Sequence, residues 1–419
     1  MPYQSALTIV APVRAGEAAN LDELLKSMGN GVANGSVIDF SRLTGVHYAR
    51  IVLLEETVDL EGDPLPAQLI LMSDLDISPR RHLRELVNAA GEGIDQVFGH
   101  CEGYTPGDRH GYLQRHVVDE QARYVNTVGR TAQQITQEAQ LREAIQRFLD
   151  ESGDDWSRVD PGVVRARVRE LVEGDPELAW ARRPAERPGG FARLLEIAHM
   201  VAVPLVLLPL LPFALLLAPV YLIVLRRLEK TDPAPHLKPS EERVNELASL
   251  EDHVTQNPFM AVGFVKPGWF RELTLRFVVF AISYVTRHVL NRGNLAGVKT
   301  IHFARWVFLD GRRRMYFSSN YDGSLESYMD DFIDKISWGL NIVFSNGFGY
   351  PRARFLVFGG SRDELAFKDY LRTHMAFVRV WYAPYGNLTA ENVARNERVR
   401  AGLYADLDRD QELDWVHDL

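Results

Sequence analysis

The stretch from Ile197 to Leu225 reads IAHMVAVPLVLLPLLPFALLLAPVYLIVL and contains no Asp, Glu, Lys or Arg. A soluble core seldom buries the whole circumference of a helix, so an uncharged apolar run longer than about 18 residues marks a membrane segment. Whatever surrounds this run must fold while holding it against lipid. Pro204, Pro209, Pro212 and Pro219 interrupt it and work against one straight helix. Arg182, Arg183, Arg187 and Arg193 precede it, and Arg226, Arg227 and Lys230 follow. Positive residues favour the cytoplasmic face, which predicts a hairpin or re-entrant helix pair with both ends on that face. A single tilted span and a buried soluble helix are the alternatives.

A chain of 419 residues has length for two domain-sized cores. The net charge of −9 argues against nucleic-acid binding, which needs clustered cations to displace phosphate counterions. The single cysteine, Cys101, excludes an internal disulfide and a cysteine-based zinc cluster. The N-terminus lacks the pattern of a signal peptide. The bulk of the protein is therefore expected on the cytoplasmic face of a membrane.

Around the apolar run, the same element order occurs twice. In the first half SALTIVAPV reads as a strand, ANLDELLKSMG as a helix, HYARIVLLEE and AQLILMSD as two strands, and RRHLRELVNAAGEGIDQVFGH as a long helix. This β-α-β-β-α order is that of a ferredoxin-like unit. The second half repeats it with recognisable residues. Val13-Arg14-Ala15-Gly16 returns as Val265-Lys266-Pro267-Gly268, and Val46-His47-Tyr48-Ala49-Arg50 as Ile301-His302-Phe303-Ala304-Arg305. Ser73-Asp74-Leu75-Asp76 returns as Ser319-Asn320-Tyr321-Asp322, and the spacing from Asp76 to Tyr104 equals that from Asp322 to Tyr350. Thr131-Ala132-Gln133-Gln134-Ile135 returns as Thr389-Ala390-Glu391-Asn392-Val393.

Two such units cover each other's open sheet faces by pairing. The expected fold is therefore α+β: tandem duplicated ferredoxin-like units forming a single-chain pseudo-dimeric α+β barrel, with an inserted membrane-associated helical hairpin. The first repeat covers 1–150, the helical insertion 151–256, the second repeat 257–405 and an acidic tail 406–419. In element order the chain resembles the dimeric α+β barrel superfamily, which includes dye-decolorising peroxidases and chlorite dismutases alongside cofactor-free oxygenases and small binding modules.

That resemblance directs attention to Ser319-Asn320-Tyr321-Asp322-Gly323, which is similar to the Gly-x-x-Asp-Gly signature of dye-decolorising peroxidases. It implies haem, with Asp322 as the distal acid/base and Arg305 as charge stabiliser. Such a pair suits peroxide activation, where a proton moves between oxygens while positive charge stabilises the departing one. Ser319 replaces the first glycine, and the motif lies in the second half of the chain, whereas in those peroxidases it belongs to the first. An Asx-type turn is the competing reading. For a haem ligand and its surroundings the candidates are His47, His302, Arg50 and Asp76. Strand alternation separates His302 from Arg305 and points Arg50 and Arg305 into the interior. Their competing role is a structural salt bridge with Asp76 and Asp322.

Elsewhere, WFRELTLRFVVFAISYVTRHVL is too short to span a bilayer and reads either as a helix lying against the membrane surface or hairpin, or as a core helix. No phosphate loop, His-Glu-x-x-His or Gly-x-Ser-x-Gly motif occurs. Three functions remain open: a haem-dependent peroxidase-like oxidoreductase acting on an apolar or lipid-derived substrate, a cofactor-free barrel binding or transforming such a molecule, and a non-enzymatic interaction protein at the membrane surface. Membrane lipid and an apolar small molecule are the expected partners.

Overall fold

The computed structural model describes residues 4–31, 37–153, 156–185, 188–291 and 293–419. Arg187 of the cationic flank lies outside them. The chain is α+β. The principal strands are β1 (Ser5–Pro12), β2 (Val46–Leu54), β3 (Gln68–Leu75), β4 (Ala122–Val125), β5 (Gln256–Phe264), β6 (Ile301–Leu309), β7 (Arg314–Asp322) and β8 (Val378–Tyr382). They form two antiparallel four-stranded sheets with the orders β1-β3-β2-β8 and β4-β6-β7-β5.

Each sheet takes one edge strand from the other half of the chain. β8 lies beside β2 with Trp381 opposite Arg50, and β4 lies beside β6 with Arg123 opposite Arg305. Just before crossing, each of these segments touches the first strand of its own half, through the bridges Ile9 to Val117 and Ala261 to Met375. The two exchanged strands thus stitch the sheets together at both edges.

β2 is buried along its whole length because helices cover one face and the second sheet covers the other. Ala49, Ile51 and Leu53 enter the core beneath helices α1 (Ala18–Gly31) and α2 (Pro79–Phe98). Val52 and Leu54 face the opposite sheet and meet Val307, Leu309 and Tyr316. The second sheet is covered in the same way by two later helices of its own half, Trp269–His288 and Leu325–Phe344.

A third layer is helical. α3 (Ala132–Ser152) and α4 (Pro161–Gly174) pack with the closing helices Ala390–Leu403 and Arg409–Asp418 around Leu141, Val168, Val399 and Trp415. The insertion 151–256 is therefore divided: its first helix belongs to this layer. The acidic tail is docked through Trp415, whose indole N–H donates to the Val399 carbonyl at 2.8 Å.

The apolar run lies in α5 (Gly190–Leu207) and α6 (Leu211–Thr231), joined by a 3-10 turn at Leu208–Leu210. Together they make one helix, Gly190–Thr231, long and apolar enough to cross a membrane, and its most apolar stretch buries nothing inside the protein. It is not an antiparallel hairpin, because the backbone stays right-handed helical through the join. Yet both its ends are tied to one helix, α7 (Trp269–His288): Glu196 pairs with Arg287, and Asp232, which caps the C-terminus, pairs with Arg271. At ~1.5 Å per residue a straight helix would put Asp232 ~54 Å from Glu196, whereas Arg271 and Arg287 lie ~24 Å apart along α7. That difference of ~30 Å exceeds the ~10 Å each that two Arg–carboxylate pairs can bridge. The helix must bow outward between its anchors, and its internal prolines supply the bends.

The remaining principal helices are α8 (Leu325–Phe344), α9 (Ala390–Leu403) and α10 (Arg409–Asp418). α2 and α8 begin alike, with Ser78 and Ser324 accepting from the backbone N–H groups of Arg81 and Ser327. Each also breaks at one internal residue, Ala90 (φ −129, ψ 28) in α2 and Ile336 (φ −136, ψ 27) in α8.

Candidate functional site

Arg50 and Arg305 meet between the sheets, both fully desolvated, and each is satisfied by the sheet it does not belong to. Arg50 donates to the Phe259 carbonyl at 2.9 Å, the Ser319 carbonyl at 3.1 Å and the Asn320 side-chain oxygen at 2.8 Å. Arg305 donates to the Leu7 carbonyl at 3.1 Å, the Ser73 carbonyl at 3.0 Å and the Asp74 carboxylate. The two sets of acceptors occupy corresponding positions, so the arginines act as reciprocal clamps. The difference is one carboxylate. For Arg50, burial pushes the guanidinium down to about 10, with the nearby Arg305 adding to the effect. Arg305 suffers the same burial, but Asp74 and Tyr316 more than offset it and raise its pKa.

The carboxylates expected to pair with these arginines do something else. Asp76 accepts from the Ala132 N–H at 2.9 Å, and Asp322 accepts from the Ala390 N–H at 2.7 Å. These are the first residues of α3 and α9, so each aspartate binds the positive end of a closing helix. The expected salt bridges to Asp76 and Asp322 are therefore replaced by Asp74 and by the amide of Asn320. The sequence alignment already contained this pair, since Ser73-Asp74 falls on Ser319-Asn320; the choice between neighbouring acidic residues needed the strand geometry.

His47 and His302 sit one step further along the same strands. The second carboxylate oxygen of Asp322 meets His302 Nε2 at 2.7 Å. His47 Nδ1 meets the Tyr385 hydroxyl at 2.7 Å, and its Nε2 lies 3.8 Å from Asp76. Burial, reinforced by the Arg130 charge, lowers the His47 pKa to about 3. Both histidines lie at bulges, between Val46 and Tyr48 and between Ile301 and Phe303. Beyond the bulge the alternation holds: Ala304 and Trp306 enter the helix-side core, while Phe303 and Val307 face between the sheets.

These residues do not fit haem. His302 is engaged by Asp322, and His47 is packed between Phe303 and Tyr385, with ring centroids 5.2 and 6.0 Å away. Tyr48, Val125, Ile135 and Val393 fill the remainder of that cluster. No open ring face is left beside either imidazole for a macrocycle. Among the described residues no group of three or more His, Cys, Asp or Glu side chains could hold a metal ion. Tyr385 and Trp381, which help to build this region, carried no recognisable motif in the sequence.

The open concavity lies elsewhere. A cleft of about 500 Å³ runs beside α7, lined by Val118, Gln121, Arg276, Phe280, Phe308 and Arg312 among others. The bowed helix is equally conspicuous: Leu205, Val206, Phe213, Leu216 and Ile223 are each more than half exposed. α7 adds to this surface with Trp269, Leu273 and Phe277, also more than half exposed. Compared with family models and curated proteins, the chain matches no family model and no curated sequence.

Proposed function

We propose that the chain is a monotopic membrane protein in which a single-chain α+β barrel of two duplicated ferredoxin-like units is seated on one leaflet by a re-entrant apolar helix. Its work is to bind or transform a lipid or another apolar molecule at that surface. The observation that carries this reading is the bowed helix: an exposed apolar surface of this extent marks an interaction site, and both its ends return to α7. Matching kinks at Ala90 and Ile336 and matching bulges at His47 and His302 support the duplication. The exchanged strands support closure of the two sheets into a barrel. The cations at both ends of the run favour the cytoplasmic leaflet.

Haem-dependent peroxidase chemistry is the weaker alternative, because its candidate acid and ligands are committed to helix ends and to one another. The lipid reading requires no such residues.

The test is flotation of the detergent-free protein with phospholipid vesicles. The wild-type chain should float, and a variant carrying Phe213→Glu and Leu216→Glu should remain folded but stay at the bottom of the gradient. A wild-type chain that is soluble, monomeric and unable to float would overturn the proposal.

A further inference from the structure

The cleft beside α7 has features that a lipid surface alone does not require. With ~100° per residue, Trp269, Leu273, Arg276, Phe277 and Phe280 fall within a sector of ~100° on α7. Arg276 therefore sits, exposed, as a cation inside the helix's apolar stripe. It makes no ion pair among the described residues. Across the cleft, Arg312 pairs through Nε with Glu272 at 2.8 Å.

The turn carrying Arg312 is held rigidly. Asp310, Gly311 and Arg312 have φ values of 51, 62 and 78, a left-handed run that strains the two residues with side chains. Asp310 is fixed in this turn by Gln68 at 2.7 Å and by Arg314 at 2.5 Å. The third wall contributes Asp119, which is exposed and makes no ion pair among the described residues. The cleft thus combines the Arg276 guanidinium, the Arg312 guanidinium with Glu272 on its Nε, the Asp119 carboxylate and the apolar side chains of Val279, Phe280 and Phe308. Its volume of about 500 Å³ is that of a small-molecule site.

We propose that this cleft binds one zwitterionic phospholipid drawn from the leaflet. Arg276 and Arg312 hold its phosphate, Asp119 faces its ammonium group, and an acyl chain lies over Phe280 and Phe308. The inference rests on the membrane reading above and names the molecule that reading leaves open. An anionic lipid would satisfy the arginines but set its headgroup against Asp119. Free phosphate would leave the apolar wall uncovered.

The experiment titrates the detergent-solubilised full-length protein with a short-chain phosphatidylcholine below its micellar concentration, in parallel with the matching phosphatidylglycerol and with inorganic phosphate. Saturable binding of the phosphatidylcholine is expected, with phosphatidylglycerol weaker and phosphate weaker still. Arg276→Ala, at an exposed position, should weaken phosphatidylcholine binding at least about tenfold, as expected for loss of one hydrogen bond to a charged group. Asp119→Asn should weaken phosphatidylcholine but not phosphatidylglycerol. Equal affinity for phosphate alone, no saturable binding, or unchanged affinity in Arg276→Ala would each overturn the assignment. Because the short-chain lipid needs no bilayer, failure here with intact vesicle flotation removes the cleft and spares the membrane reading. Binding without flotation does the reverse.

Discussion

Arg305 reaches out of its own sheet to the carboxylate of Asp74 in the other. Its counterpart Arg50 makes the corresponding reach to Asn320, a neutral amide. The same clamp is therefore built once with an ion pair and once without. Truncating one partner of a buried pair leaves the other charge uncompensated, so Arg305→Met should destabilise the chain by about 3–5 kcal/mol. Asp74→Asn should cost at least as much, because the Asp74 carboxylate supports both buried guanidinium groups, Arg305 directly and Arg50 through its charge. Thermal unfolding of the two variants in detergent checks this, and a negligible loss in Asp74→Asn would count against the clamp.

Asp322 holds the start of α9 and the imidazole of His302 at once. Asp322→Ala removes an acceptor from a buried N–H and from a buried ring, a loss of about 1–3 kcal/mol. Asp76→Ala should behave similarly through Ala132 at the start of α3. Hydrogen exchange should show the loosening concentrated in the first turns of α9 and α3, respectively. Unchanged protection there would show that the aspartates do not hold these helices.

Acid should destabilise the protein before its carboxylates titrate. Burial lowers the pKa of His47 from 6.5 to about 3 and that of His82 from 6.5 to about 4. The unfolded chain takes up these protons near pH 6.5, while the folded chain takes them up only near pH 3 to 4. Stability is therefore complete above about pH 6.5 and falls as pH drops towards those folded values, by on the order of 8 kcal/mol in total. Hydrogen bonding with Arg109 and Tyr104 lowers Asp95 below its usual 3.8, so it adds its own loss only in stronger acid. Unfolding midpoints between pH 7 and 4.5 should fall for the wild type and fall less for a His47→Gln, His82→Gln variant. A flat wild-type profile over that range would contradict the burial account.

The α+β element order was readable in the sequence because strands and helix caps depend on local residue types. Ser78 and Ser324, or Thr131 and Thr389, mark helix starts wherever they occur, and all four cap helices. The apolar run was equally plain, since its composition alone sets it apart. The exchange of β4 and β8 was not legible, because an edge strand has the same alternation whichever sheet it joins. The anchors of the apolar helix were not legible: prolines show that a helix bends, but where its ends are held depends on Arg271 and Arg287 lying on one distant helix. Tyr385, whose hydroxyl holds His47, sits in a loop whose position follows from that strand exchange. The cleft residues are scattered from Val118 to Arg312, and only the packing of α7 on β4 and β6 brings them together.

The central claim is that the apolar helix leaves and re-enters the same face. Single cysteines at Arg193, Leu216 and Arg227 can report this, because native Cys101 is buried and its thiol is pushed up to about 12 by desolvation. In sealed vesicles of one orientation, an impermeant maleimide should treat Arg193→Cys and Arg227→Cys alike, both labelled or both protected. Leu216→Cys should stay unlabelled until detergent is added. Opposite responses at the two ends would mean that the helix crosses the bilayer, and the re-entrant account would be wrong.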